Sequence, residues 1–269
     1  MIKNISSLYF DGLDKGIVID NAYDIFARKL YIKYIEENNI NYLRFQDTDM
    51  NLAAFFPNVV YVLVPEEAEN LQGLYSLKKI KGIEISAHNL EQINLSSFTN
   101  LEYLIVTDYL VEKNKLTFSN NIKHLCFLHS DTSDLKFLYK NKNLESLQLE
   151  FCYRLKTING IQNLQYLNKL TLDYCLKLSD ISNIKSLSSK LKYLRITDCN
   201  KIHDQINYLS ALSELETLYI TVSQTRKQNN FESLMFIKPM KNLKRFVTNY
   251  KINDCDLTQL KHVEEVEIL

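Results

Sequence analysis

The chain has 269 residues, 46% of them apolar, and its 32 Lys plus Arg are balanced by 32 Asp plus Glu. That is enough apolar material for a continuous core, and the charge balance removes the long-range field that would draw the chain to nucleic acid or to an anionic membrane. Five cysteines, an odd number, make no disulfide framework and fit a reducing compartment; the start, MIKNISSLYFDGLDKG, lacks an apolar leader, and no later run approaches the roughly 18 apolar residues of a membrane span. The location expected is therefore cytoplasmic.

Residues 1–39 differ from the rest of the chain. ISSLYF reads as a short strand and GIVID as another. Asn21 then opens NAYDIFARKLYIKYIEENN as an N-cap with Asp24 at the third helical position, predicting a helix over 21–38. Tyr23, Phe26, Leu30 and Tyr34 recur at helical spacing, so this helix is amphipathic and suits the capping of a repeat array.

From residue 40 a triad of apolar residues spaced LxxLxL recurs to the end of the chain. It begins at Ile40, Val59, Ile80, Leu101, Ile122, Leu144, Leu167, Leu191, Leu215, Leu243 and Val263, with successive starts 19, 21, 21, 21, 22, 23, 24, 24, 28 and 20 residues apart. The fourth and sixth positions share one face of a short strand while the residues between them point the other way. A unit this short has room for a strand, a turn and a return that is extended, 3₁₀ or one to two helical turns. Return residues such as Ile158, Ile161 and Leu164, or Ile181, Ile184 and Leu187, fill the interior opposite the strands. One unit cannot bury its own core, so neighbours must stack.

Three consecutive units also carry cysteine three residues past the triad: LESLQLEFC ending at Cys152, LNKLTLDYC at Cys175 and LKYLRITDC at Cys199. In this the chain resembles the leucine-rich repeat family over about residues 40 to 269. The resemblance implies an α/β solenoid in which a curved, parallel, concave sheet of about 11 or 12 short strands is backed by short 3₁₀, helical or extended convex segments. One continuous domain is expected, with 1–39 as the N-terminal cap and 40–269 as the solenoid. The family places Asn or Cys at that slot to bond the turns of adjacent repeats, which implies that these thiols are structural. Thr48, His88, Tyr109, Ser130, Ser223 and Lys251 occupy the slot elsewhere and predict an irregular ladder in the first and last thirds.

HLCFLH, His124 to His129, is the segment richest in reactive side chains. In the repeat register Leu125 and Phe127 point into the core, His124 and Cys126 alternate outwards and His129 follows in the turn. A closed metal site needs four ligands and a nucleophilic pair needs an orienting partner and an oxyanion site, and the sequence offers no companion group. No GxGxxG, P-loop, HExxH, paired CxxC or GxSxG pattern is present. The expectation is no catalytic residue, no metal, no cofactor and no small-molecule substrate.

Second triad positions run Lys81, Glu102, Lys123, Glu145, Asn168, Lys192, Glu216, Lys244 and Glu264, so charge alternates along the ladder save at Asn168. Third and fifth positions carry Tyr42, Arg44, Tyr61, Tyr103, Tyr193, Arg195 and Tyr219. Past the strands come Asp47, Asp108, Glu150, Asp173, Tyr174 and Asp198 on one edge. Tyrosine and arginine are enriched in binding hot spots, and carboxylates beside them favour a basic partner. Tyr103, Asp108, Glu150, Asp173, Tyr174, Tyr193, Arg195, Asp198 and Tyr219 are the expected contact residues. The function expected is non-enzymatic recognition of a folded protein, a basic one being favoured, on the concave face by a chain that is monomeric when unbound, as in an inhibitor or antitoxin-like immunity protein that blocks a basic toxin or enzyme. The alternative is an adaptor or scaffold in a cytoplasmic assembly. The longest unit contains SQTRKQNN, a contact loop or a tolerated insertion.

Overall fold

Apolar side chains two residues apart on a strand must find cover on one side, and in this chain the next repeat supplies it. A computed structural model describes residues 3–5, 15–111, 120–223, 230–231, 233–252 and 257–269. The chain packs as two compact units, Met1–Cys126 and Phe127–Leu269.

In the first unit the strands are β1 (Lys3–Ile5), β2 (Gly16–Ile19), β3 (Tyr42–Phe45), β4 (Tyr61–Leu63), β5 (Gly82–Ser86), β6 (Tyr103–Thr107) and β7 (His124–Leu128), the last carrying the boundary. In the second they are β8 (Ser146–Glu150), β9 (Lys169–Asp173), β10 (Tyr193–Thr197), β11 (Thr217–Thr221), β12 (Asn230–Phe231), β13 (Arg245–Thr248), β14 (Lys251–Ile252) and β15 (Glu265–Ile268). Sheet order follows chain order within each unit, and 13 strands enter the main sheet. Only β12 and β14 pair apart from it among the described residues. β1 meets β2 antiparallel, and β2 to β6 and β8 to β15 then run parallel.

The register is the one the triads impose. Leu43, Val62, Ile83 and Leu104 face one another across successive strands of the first unit. Leu147, Leu170, Leu194, Leu218 and Phe246 do so in the second. Every triad residue from Ile40 to Thr248 is buried. The last triad departs: on β15 Val266 is 38% and Ile268 53% exposed. The returns are 3₁₀ turns, as at Ile161–Asn163 and Ser182–Leu187, and Ile158, Ile161, Leu164, Ile181, Ile184 and Leu187 are fully buried. Gly160 adopts φ 110°, and a Cβ there would lie 2.3 Å from the backbone carbon of Leu135, so neighbouring returns touch through bare backbone.

The cysteine slot bonds the ladder together. The Cys175 thiol lies 3.6 Å from the carbonyl oxygen of Leu149 in the preceding repeat and 3.7 Å from that of Asp173 in its own turn. Cys199 repeats this with Leu172 at 3.4 Å and Thr197 at 3.5 Å, and Cys152 with Phe127 and Glu150 at 4.0 and 3.6 Å. Each thiol thus lies between a carbonyl of the preceding repeat and one of its own turn, and ties the two together. In the repeat of β5 the slot slips by one residue. His88 is exposed, and Asn89 takes the role, its amide donating to Pro65 O at 3.0 Å and Glu66 O at 2.8 Å. The helical turn α2 (Ala87–Leu90) absorbs the extra residue.

Two expectations for residues 1–39 change. The helix α1 spans Ile25–Asn38, because the Asp24 carboxylate accepts from both Phe26 N and Ala27 N at 2.8 Å. Asn21 sits instead at φ 51°, with its N–H and that of Ala22 held by the Asp47 carboxylate at 3.1 and 2.8 Å. The apolar stripe of the helix is not its buried face: Phe26 is 75% and Leu30 63% exposed, whereas Tyr31 is buried and its hydroxyl donates to the Asp20 carboxylate. Most of ISSLYF and the centre of SQTRKQNN lie outside the described residues. No helix among the described residues is long and apolar enough to cross a membrane.

Candidate partner-binding face

Strand pleating turns the residues between the triad positions onto the ladder face, away from the core. In the second unit they form in-register rows: Gln148, Thr171, Arg195, Tyr219 and Val247 in one, Glu150, Asp173, Thr197 and Thr221 in the next. The Arg195 Nε lies 3.2 Å from Asp173 Oδ2 and 3.3 Å from the Thr197 hydroxyl. Asp173 is only 5% exposed and its Oδ1 has no hydrogen-bond partner among the described residues. Burial pushes this carboxyl up to about 6, against the pull of Arg195 and Thr197 and with Glu150 across the strand adding to the rise. The Tyr193 and Tyr219 rings are 5.7 Å apart; Lys169 Nζ stands 5.3 Å from the first and the Arg245 guanidinium 5.4 Å from the second.

Along the edge of the same unit, His129, Phe151, Tyr174 and Asp198 each occupy the left-handed region, at φ 58°, 53°, 55° and 55°. Tyr174 stacks on Phe151 at 4.7 Å and Phe151 meets His129 at 5.2 Å. The expected acidic edge is corrected at Asp198. It is 0% exposed, and its Oδ1 accepts from the N–H and the hydroxyl of Ser223 at 3.0 and 3.2 Å, so it holds the next repeat's turn in place of facing a partner. Asp47 does the same for Asn21 and Ala22. Both carboxylates lie just past a strand, where the neighbouring turn offers unbonded N–H groups.

In the first unit Tyr42, Tyr61, Gly82 and Tyr103 form one row and Arg44, Leu63, Glu84 and Ile105 the next. The Tyr61 and Tyr103 rings meet edge to face at 5.8 Å across Gly82, and His124 stacks on Tyr103 at 4.1 Å. Cys126 alternates outwards as expected, yet it is only 6% exposed, in a row whose Ile105 is buried too. Asp108, at φ 55°, is exposed and shares with Glu66, Glu67, Glu91 and His88 the lining of an open cavity of about 530 Å³ at the strand ends. In sequence Glu66 and Glu67 have only the look of a solvated turn, and Glu91 carries no signal. All of them lie in the turns that follow three consecutive triads, and the stacking of those turns is what places them together. Glu84 is likewise unmarked, being one carboxylate among alternating residues. No group of three or more His, Cys, Asp or Glu that could hold a metal ion occurs among the described residues.

No protein-family model matches the chain, and no curated protein matches it in sequence. Solved structures do. An internalin, InlF, from Listeria monocytogenes 4b F2365 aligns at 17% identity and TM-score 0.44 over 86% of this chain and 81% of its own. The leucine-rich repeat domain of the type III effector XopL aligns at 15% and 0.45, over 83% of each chain. TLR13, solved in complex with ssRNA13, aligns at 14% and 0.49, over 85% of this chain and 34% of its own.

Proposed function

We propose that this chain, whose parallel ladder of buried triads has leucine-rich repeat architecture, acts by binding a folded, basic protein on its ladder face and the adjoining strand ends, without catalysing a reaction. The observation that carries this reading is the open cavity ringed by the exposed carboxylates of Glu66, Glu67, Glu91 and Asp108, in a chain of zero net charge. Clustered like charge on a neutral molecule is a local field, and its complement is a positive patch. Exposed tyrosine and arginine on the neighbouring strands add contact area at modest entropic cost. An inhibitor or immunity protein that masks a basic enzyme is the form of this function that needs no further machinery: occupancy is the effect.

The test pairs capture with charge reversal. The immobilised chain and its Glu66→Lys with Glu91→Lys variant are each challenged with lysate of the source organism. A stoichiometric basic protein retained by the first, lost by the second and released by salt supports the reading. A protein retained equally by both moves binding off this surface. If the retained protein is an enzyme, its activity should fall to zero at an equimolar ratio; undiminished activity would replace inhibition by mere tethering.

A further inference from the structure

Glu84 sits on the ladder face of β5 with an unusual set of neighbours. Along its own strand the next outward position is Gly82, which has no side chain. Across the strands it is flanked by Leu63 and Ile105, both apolar. Diagonally it has Tyr61 and Tyr103, whose rings close over Gly82 at 5.8 Å. Tyr42, one strand further out and itself buried, feels the Glu84 charge. A carboxylate has thus been set down among three tyrosines and two aliphatic side chains. Among the described residues the opposing charge that acts on it is the exposed Arg44 guanidinium, two strands away beyond Leu63, about 10 Å at the backbone. Arg44 does not offset the burial: Glu84 is pushed up to about 7.

We propose that Glu84 with Tyr42, Tyr61 and Tyr103 forms a socket for one cationic side chain, the ammonium of a lysine or the guanidinium of an arginine. This deepens the reading of the ladder face as a partner surface, and rests on it for the source of the cation. The chemistry comes from what the socket lacks. A desolvated carboxylate without a close counter-charge is costly, whereas a cation placed beside it recovers the Coulomb attraction in a medium of low dielectric and needs no hydrogen bond from either aliphatic wall. The tyrosines supply hydroxyl acceptors, which suit an N–H-rich cation. An anion would meet Glu84 itself, and a neutral apolar side chain would leave the carboxylate unpaired. Gly82 matters because any side chain there would stand between the two rings and over Glu84.

The experiment uses the full chain with its glutamates carbon-13 labelled at the carboxyl. The titration midpoint of Glu84 is followed alone and with N-acetyl-lysine amide, N-acetyl-arginine amide, or the neutral N-acetyl-norleucine amide at equal ionic strength. The expected result is a fall of about one pH unit with a cation, which is a tenfold preference of the probe for the ionised form. The neutral analogue should leave the midpoint in place. A response to lysine alone, or to arginine alone, supports the socket and assigns its head group. No movement with either cation, or equal movement with the neutral analogue, overturns it. Glu84→Gln keeps the shape and removes the charge, so the cation-induced shifts of the Tyr61 and Tyr103 ring signals should vanish; shifts that persist would overturn the role of the carboxylate. Because no partner protein is present, failure here leaves the charge-reversal capture untouched, and failure of that capture leaves this titration untouched.

Discussion

The imidazole of His124 lies parallel to the phenol ring of Tyr103, with 4.1 Å between centroids and 8° between planes. Tyr61 meets the same tyrosine edge to face. Tyr103 therefore presents its rim and hydroxyl to a partner, and its ring is already part of the protein's own packing.

Truncating that ring should be felt in stability before it is felt in binding. Tyr103→Ala loses two aromatic contacts of about 0.5–1.5 kcal/mol each beyond the burial itself, so its urea midpoint should drop clearly, while Tyr103→Phe should stay within about 0.5 kcal/mol of the parent. An unfolding curve of Tyr103→Ala that overlays the parent would mean that the stack does not contribute.

Asp108 and Asp198 occupy the same place in their repeats and share φ 55°. Replacing either by Ala keeps a Cβ in the left-handed region and removes the short polar side chain whose local hydrogen bonding makes that conformation tolerable for Asp, so both variants should lose stability. Asp198→Ala additionally leaves the Ser223 N–H without its acceptor, a further cost of about 1–3 kcal/mol. Chemical denaturation should rank Asp198→Ala as the less stable of the pair. An Asp198→Ala curve that overlays the parent would show that the Asp198 contact is without net value.

Acid should stabilise this protein over part of the titration range. Glu84 rises from 4.5 to about 7 and Asp173 from 3.8 to about 6, both chiefly through burial. Between those values the folded chain binds protons that the unfolded chain has released, so unfolding free energy falls as pH rises through each window and levels off above it. For Glu84 the full change is at most about 3 kcal/mol. Glu84→Gln should flatten the slope between pH 4.5 and about 7 and should be the more stable form at pH 8; a slope identical to that of the parent would remove Glu84 as its source.

The ladder thiols should be silent to alkylation until the chain unfolds. Cys152, Cys175 and Cys199 are buried, and hydrogen bonding and burial hold the Cys175 thiol well above its ordinary range. Iodoacetamide labelling read by mass spectrometry should track the unfolded fraction across a urea series. Stoichiometric labelling in native buffer would contradict the packing.

Much of the fold was legible because a two-residue strand period and a repeat of near-constant length are redundant signals. One misassigned triad would have been corrected by its neighbours, and Thr248 is buried in register although it is polar. The cysteine slot was legible for the same reason. What stayed hidden was decided by contacts between distant residues. Asn21 and Asp24 are equally good helix caps by type, and the choice between them falls to Asp47, which holds the Asn21 N–H. Tyr31 and Phe26 are both aromatic, yet only Tyr31 meets Asp20. On the ladder face the sequence shows which residues point outwards, but shading by neighbours determines exposure: Asp173 and Cys126 are outward by parity and buried all the same.

The alternating charges at the second position give the array a parity. Lys123 pairs with Glu102 at 3.1 Å, and Glu216 stands between Lys192 at 3.3 Å and Lys244 at 2.7 Å. Excising the single repeat that carries Glu216 would bring Lys192 against Lys244, and duplicating it would set glutamate against glutamate. Between Lys192 and Glu264, on one side of the break at Asn168, removing or inserting two adjacent repeats at once leaves unlike charges as neighbours. A lineage that lengthens or shortens such an array by unequal recombination would therefore meet less resistance in even steps than in odd ones, and a designer extending this scaffold should add repeats in pairs.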